Sequence, residues 1–314
     1  MSSASEATTK LSSGDSIPLL GFGTVLTGEP GPFKEALKAA LLVANYRHID
    51  TAWYYGTEPY IGEVLKEVFD SGKVKREEVF ITTKVWPCYW NDPENSFNTS
   101  LKDLQLDYVD LLLQHWPICF QKVEDVEGPR VPVPKDQFGN ILFDKDGDYL
   151  TMYRKLLKIK DSGKAKNIGV SNYTIEMLER VIKETGVTPA TNQVEMHPHL
   201  PQLDLYKYCK EKGIVVEAYS PLGSSGAPNL KIPLVQDLAK KYNVGPADII
   251  VNYLIAKGIV ALPRSSNVER VKKGYPLLEF KREDVEALDK FGSENPKRFI
   301  RDPWGKNLGF EHWD

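Results

Sequence analysis

The stretch "YVDLLLQHW", residues 108–116, decides how the rest of the chain is read. Leu111, Leu112 and Leu113 follow one another without the apolar/polar alternation of a half-solvated strand. Consecutive apolar residues suit a strand buried on both faces of a parallel sheet. The run ends on an ionisable group, His115. Seven further short runs are read as strands: "LGFGT" (20–24), "RHID" (47–50), "VFITTKV" (79–85), "NIGVS" (167–171), "TNQVE" (191–195), "IVVEAYS" (214–220) and "GIVALP" (258–263).

Helical patterns lie between these runs. Thr57 is an N-cap candidate with Pro59 in the first turn, and Ile61, Val64, Leu65 and Val68 keep the i, i+3, i+4, i+7 spacing until Gly72. Asp92-Pro93 opens a second helix carrying Phe97, Leu101 and Leu104. Thr174 opens a third that Gly186 ends, and Pro246 and Gly258 bracket a fourth. Eight strands alternating with helices leave a closed (β/α)8 TIM barrel or an open doubly wound sheet. "GFGTVLTG" (21–28) lacks the GxGxxG spacing of the open dinucleotide fold, so the barrel is expected, as a single domain spanning 1–314.

Two segments break the alternation. Residues 117–148, rich in Pro, Gly and charge, form an insertion loop after the fourth strand. Residues 291–314 form a C-terminal loop with Phe299, Trp304, Phe310 and Trp313, expected to pack over the barrel mouth because of its apolar content. Residues 1–10 are polar and small and are expected to be a flexible tail.

The chain has 314 residues, 41% of them apolar and 26% charged, with a formal net charge of −3. Matched, interspersed charges argue against a nucleic-acid partner. No apolar run reaches the roughly 18 residues of a membrane span, and no secretory or transit pattern opens the sequence. Cys88, Cys119 and Cys209 are scattered and fit no zinc pattern, so neither a metal nor a disulfide is expected, and the cytoplasm is the simplest location.

Three ionisable residues close successive strands: Asp50 the second, Lys84 the third and His115 the fourth. In a barrel these ends open on one face, the face that carries catalysis. Tyr55 lies just beyond Asp50. A free phenol, with a pKa of about 10, exchanges its proton poorly at neutral pH, and a nearby ammonium lowers that value. Lys84 is placed to be that ammonium, and Asp50 to keep it charged. Taken singly, each of these residues is more readily a satisfied polar group than a catalyst; the case rests on their convergence.

The motifs "YRHIDTAWYYGTEPYIGE", "ITTKVWP", "LLLQHWP", "IGVSNY", "NQVEMHPHLPQ", "EAYSPLGS" and "LPRSSNVERV" resemble, in order and spacing, those of the aldo-keto reductases over about residues 10 to 300. Within that family "DTAWYYGTEP", "DLLLQHWPICF", "DGDYL" and "GSSGAPNLKIPLV" look most like the yeast D-arabinose dehydrogenase branch, whose members also reduce dicarbonyls such as ketopantoyl lactone. The resemblance implies a catalytic tetrad of Asp50, Tyr55, Lys84 and His115. In it Tyr55 protonates the carbonyl oxygen as hydride arrives from nicotinamide C4, and His115 orients the substrate. Tyr54 is the alternative acid, otherwise a pocket wall; Tyr46 lies before the strand.

By the same resemblance Ser171, Asn172 and Gln193 hold the nicotinamide carboxamide, and Thr24 and Asp50 lie by its ribose. Tyr219 stacks on the ring, Ser220, Leu222 and Ser224 border the pyrophosphate, and Arg264, Ser265 and Arg270 clamp the 2′-phosphate. The implied cofactor is NADPH/NADP, with NADH as a weaker second. The implied partner is a small carbonyl or sugar substrate, with no nucleic acid or membrane, on a monomer or weak homodimer. Val25, Trp53, Tyr54, Trp86, Trp116 and Trp304 are the expected substrate pocket.

The chain departs from the family pattern at Asn45, where Gly is usual, at Arg264 for Lys, at Lys273-Gly274 for the Glu-Asn pair that touches adenine, and at Val25 for an aromatic residue. Two other function classes stay open: a non-catalytic NADPH-binding barrel acting as a sensor or partner subunit, and a Schiff-base aldolase using Lys84.

Overall fold

The computed structural model describes residues 2–26, 28–122 and 132–313. A short antiparallel hairpin, β1 (Thr8–Lys10) and β2 (Ser16–Pro18), precedes the main sheet. The sheet follows as β3 (Phe22–Gly23), β4 (His48–Asp50), β5 (Phe80–Val85), β6 (Val109–Gln114), β7 (Ala165–Ser171), β8 (Thr191–Glu195), β9 (Val215–Tyr219) and β10 (Val260–Leu262). Each lies parallel to its chain neighbour. All eight expected strands are present; β8 keeps its expected bounds, and the others differ by one or two residues at an end. Every residue of β5 and β6 is buried, as consecutive apolar runs require of strands covered on both sides.

The sheet closes on itself. Leu20 bridges Ala261 in parallel, and the Gly21 and Gly23 amides donate to the Ala261 and Pro263 carbonyls at 2.9 and 3.0 Å. A Cβ at Gly21 would stand 2.5 Å from Leu262 Cδ2, so the first strand approaches the last because this residue has no side chain.

The helices form the outer ring: α1 (Pro30–Leu42), α2 (Glu58–Asp70), α3 (Pro93–Leu104), α4 (Tyr149–Asp161), α5 (Ile175–Thr185), α6 (Leu203–Glu211), α7 (Pro233–Tyr242), α8 (Pro246–Ala256), α9 (Val268–Lys273) and α10 (Arg282–Glu294). Their apolar stripes face the strands: Ile61, Val64, Leu65 and Val68 of α2 are all buried. Thr57 stands at the N-cap of α2, and Gly72, at φ +68°, supplies the left-handed exit. Asn45, in place of the usual glycine, adopts φ +56°, a conformation asparagine tolerates better than most residues. Among the described residues no helix is long and apolar enough to cross a membrane.

Two segment expectations need correction. Residues 2–10 are not a free tail: the Ala4 amide donates to Tyr275 O at 2.9 Å, Ser2 O accepts from Leu277 N at 2.8 Å, and Ala4 is fully buried. Backbone pairing of this kind is invisible in a polar N-terminal composition. The C-terminal loop begins later than 291, because α10 runs on to Glu294. The insertion 117–148 spans most of the connection between β6 and α4; its residues 123–131 lie outside the described residues. Its described parts pair Phe120 with Phe143 and Lys135 with Ile141.

Insertion and C-terminal loop meet over the C-terminal ends of the strands. Trp86, Trp116, Phe120 and Trp304 form a buried aromatic cluster there, with Trp304 edge-on to Trp86, Trp116 and Phe120 at 5.7, 6.2 and 6.2 Å. The Trp86 indole N–H donates to the Pro132 carbonyl, tying the insertion to the end of β5.

Candidate active site

Parallel registration brings the strand ends together. Asp50 pairs with Thr82 across β4 and β5, and Lys84 with Leu113 across β5 and β6. After β4 the chain makes a single 3-10 turn, Trp53–Tyr55, which Gly56 ends at φ +65°. That turn folds Tyr55 back towards the strand ends.

Lys84 Nζ lies 2.8 Å from both Asp50 oxygens, 2.9 Å from the Thr51 carbonyl and 3.2 Å from the Tyr55 hydroxyl. Lys84 is 1% exposed and Asp50 3%, so the pair is out of water. A buried pair is tolerated only when its remaining hydrogen-bonding capacity is used. Gln193 Nε2 fills that role, donating to Asp50 Oδ1 at 2.8 Å. Thr24 Oγ1 donates to the Asp50 carbonyl at 2.9 Å and holds the end of β4 against β3.

Burial works against the Lys84 ammonium, but Asp50 and then Tyr55 outweigh it, so its pKa is raised and the charge is kept. Tyr55 departs from the expected lowering. Burial raises the phenol's pKa, and Lys84 pulls it down without cancelling the rise. The phenol is therefore a held proton at neutral pH, the form in which an acid must wait. Burial, then Lys84, depresses His115 well below the usual imidazole range, so its ring is neutral. Its Nδ1 is buried without a hydrogen-bond partner among the described residues.

Two more buried titratable groups lie inside the barrel. His48 is lowered to about 4 by burial; its Nδ1–H donates to the Pro18 carbonyl at 3.3 Å, and its Nε2 accepts from the Thr82 hydroxyl at 3.0 Å. Glu217 is pushed up to about 7 by burial, with the Asp50 charge adding to the rise. Neither brings a full charge at neutral pH, which leaves Asp50 and Lys84 as the dominant ion pair behind Tyr55.

A cavity of about 680 Å³ opens over this group. Tyr55, His115 and Asp50 are on its wall; Lys84 is not, because it sits behind the Tyr55 hydroxyl. Tyr54 stacks on Trp86 with ring centroids 3.9 Å apart and, with Trp116 and Trp304, lines the cavity. Val25 is half exposed at the rim. Trp53 does not line the cavity, contrary to expectation: its ring turns edge-on to Tyr89 at 5.1 Å. Successive residues of a 3-10 turn point in different directions, and here Tyr54 and Tyr55 face the cavity while Trp53 turns away from it.

Away from Tyr55 the wall continues through Ser171, Asn172, Gln193, Tyr219, Ser220, Leu222 and Ser224. Asn172, at φ +64°, donates from Nδ2 to His115 O at 3.0 Å and to Ser171 Oγ at 3.1 Å, and accepts from the Tyr219 hydroxyl at 2.8 Å. The far end holds Arg264, Ser265 and Arg270. Arg264 Nη1 donates to the Val25 carbonyl at 2.9 Å, and Asn267 caps α9 by accepting from the Arg270 amide at 2.9 Å. Two guanidiniums and a hydroxyl suit a phosphate dianion, and the amide and hydroxyl groups near Tyr219 suit a carboxamide, so the donor set fits a phosphorylated dinucleotide. Lys273 lines this end too, 3.8 Å from Asp248.

Residues outside the expected set also line the cavity, among them Tyr46, Asp248, Tyr275, Ile300 and Asp302. Tyr46 precedes its strand, and Ile300 and Asp302 sit in a loop with no periodicity. Only the fold brings them in.

The aldo/keto reductase family model matches residues 19–293. The aldehyde reductase YPR1 of Saccharomyces cerevisiae is 41% identical over 305 residues, covering 96% of each chain. The glycerol 2-dehydrogenase (NADP(+)) of the same yeast is 41% identical over 302 residues and 94% of each chain. Among solved structures, an aldo-keto reductase in complex with NADPH superimposes with a TM-score of 0.82 at 35% identity, over 98% of this chain and 92% of the other.

Proposed function

The chain belongs to the aldo/keto reductase family, and from that premise we propose that it is an NADPH-dependent carbonyl reductase whose proton donor is Tyr55. The observation that carries this reading is the Tyr55 hydroxyl standing 3.2 Å from a buried ammonium at the wall of a cavity that runs on to an arginine pair.

Bound nicotinamide would supply hydride to the substrate's carbonyl carbon. The rest falls to this chain's own residues. The Tyr55 O–H donates to the carbonyl oxygen and then transfers its proton there, and Lys84 offsets the phenolate charge that this leaves. Asp50 and Gln193 hold Lys84 in place. His115, neutral, orients the same oxygen by a hydrogen bond. Ser171, Asn172, Gln193 and Tyr219 would hold the nicotinamide end, Ser220, Leu222 and Ser224 the pyrophosphate, and Arg264, Ser265 and Arg270 the 2′-phosphate. α-Dicarbonyls, keto-lactones and aldoses are the substrate classes to test, all three reflecting the resemblance to the D-arabinose dehydrogenase branch.

The aldolase alternative is disfavoured by the state of Lys84. A Schiff base needs a neutral amine, whereas this one keeps its proton among four oxygens. A cofactor-binding sensor would not turn over. NADPH oxidation measured across a panel of those carbonyls, and repeated with NADH, tests the reading; no oxidation with any of them would sink it.

The cofactor assignment has its own check. Arg270→Ala is expected to raise the Kd for NADPH about 10–100-fold, the worth of a charge-assisted contact, and to leave the Kd for NADH nearly unchanged, because NADH has no 2′-phosphate. Equal losses for both cofactors in a fluorescence titration would remove Arg270 from that role.

A further inference from the structure

One carboxylate on the cavity wall has no structural task. Asp302 is partly buried and lines the cavity that Tyr54, Trp86 and Trp304 enclose. Among the described residues its carboxylate has neither a hydrogen bond nor an ion pair. It sits at the N-cap of the short turn Pro303–Gly305 without capping it. Burial and the charge of Glu195 raise its pKa, and it in turn raises that of Tyr54, which places the two side chains in the same corner. An unpartnered acid in such a position is costly unless something else engages it.

Asp302 is also held rigidly. Upstream, the buried carboxylate of Glu195 accepts the backbone amides of Phe299 and Ile300 at 2.7 and 3.0 Å, and lies 2.9 Å from His197 Nε2 and 3.6 Å from Arg298 Nη1. Glu195 is thus saturated and pins the loop to the end of β8. Downstream, Pro303 restricts the backbone, the Gly305 amide donates to Asp302 O at 2.9 Å, and the Trp304 ring is packed into the aromatic cluster. Anchors on both sides leave the Asp302 carboxylate preorganised towards the cavity.

We propose that Asp302 sets substrate class: it accepts hydrogen bonds from the hydroxyls of neutral polyhydroxylated carbonyl compounds and rejects carbonyl compounds that carry a carboxylate. The proposal rests on the carbonyl-reductase reading above. Hydroxyl donors to a carboxylate form short, charge-assisted bonds, about twice as strong as neutral ones. The faces of Tyr54 and Trp304 supply apolar surface for the C–H side of the same molecule. A second carboxylate in this partly desolvated corner would meet like-charge repulsion, and among the described residues no cation pairs with Asp302 to offset it.

The test compares D-glucose with D-glucuronate, which differ in one charged group, using NADPH and measuring kcat/KM in the wild type and in Asp302→Asn. The wild type is expected to favour glucose by about tenfold or more, the size of a lost charged contact. Asp302→Asn keeps the shape and removes the charge, so the glucose/glucuronate ratio should fall at least about tenfold. NADPH binding to the variant, followed by fluorescence, verifies that it is folded. A wild type that prefers glucuronate, or a ratio that the substitution leaves unmoved, overturns the proposal. Butanal, with neither hydroxyl nor carboxylate, separates the two levels of inference. If the wild type reduces butanal but does not discriminate between the sugars, only the selection by Asp302 fails. If it reduces none of the three, the carbonyl-reductase reading fails with it.

Discussion

Tyr55→Phe is expected to lower kcat for carbonyl reduction by about 10²–10⁴-fold, the usual worth of a positioned acid, while NADPH still binds. The substitution removes one atom. The phenyl ring keeps its edge-on contact with His115, whose centroid is 5.6 Å away, so the wall of the cavity survives. Lost are the proton and the 3.2 Å contact with Lys84 Nζ. Tyr54 is no ready substitute: it stacks on Trp86, is 38% exposed, and has no hydrogen bond to Lys84. Steady-state kinetics together with a fluorescence titration of NADPH separate chemistry from binding. Turnover near the wild-type rate would remove Tyr55 from the role and make Tyr54 the next candidate, tested by the same substitution there.

Lys84→Met is expected to damage both activity and stability. With the ammonium gone, Asp50 keeps only Gln193 as a side-chain donor while 3% exposed. Stranding one member of a buried pair costs about 3–5 kcal/mol. The phenolate that forms on Tyr55 also loses its counter-charge, so kcat should fall on the order of 10²-fold or more. The double substitution Asp50→Leu with Lys84→Met distinguishes the two effects. Replacing both charges by apolar groups should restore much of the stability, seen in denaturant unfolding, and none of the activity. If the single variant unfolds at the wild-type denaturant concentration, the pair is not the constraint described above.

Much of this site is legible in the sequence. Asp50, Lys84 and His115 each close a run of apolar residues, and a parallel barrel presents all such ends on one face. The helix stops at Gly72 and Gly186 were equally local, since each needs only one residue that accepts a left-handed backbone. Trp53 was misjudged because a 3-10 turn does not reveal which of its side chains faces the cavity. The N-terminal residues were misjudged because their partners, Tyr275 and Leu277, are far along the chain.

The direction of the Tyr55 shift shows the same boundary. The sequence identifies a cation that will stand near the phenol, and Coulomb's law gives the sign of that single influence. It does not reveal how completely the hydroxyl loses water, and burial proves the larger influence.

What the sequence determined by itself is therefore the alternation of eight strands with helices, the placing of Asp50, Lys84 and His115 at successive strand ends with Tyr55 just beyond the first, and the family motifs, all properties of short stretches. The tertiary structure alone decided how the C-terminal loop is pinned by Glu195, which aromatic rings line the cavity, and that Asp302 faces it without a partner. These depend on burial and on contacts such as Glu195 with Phe299, separated by 104 positions, and no local pattern encodes either.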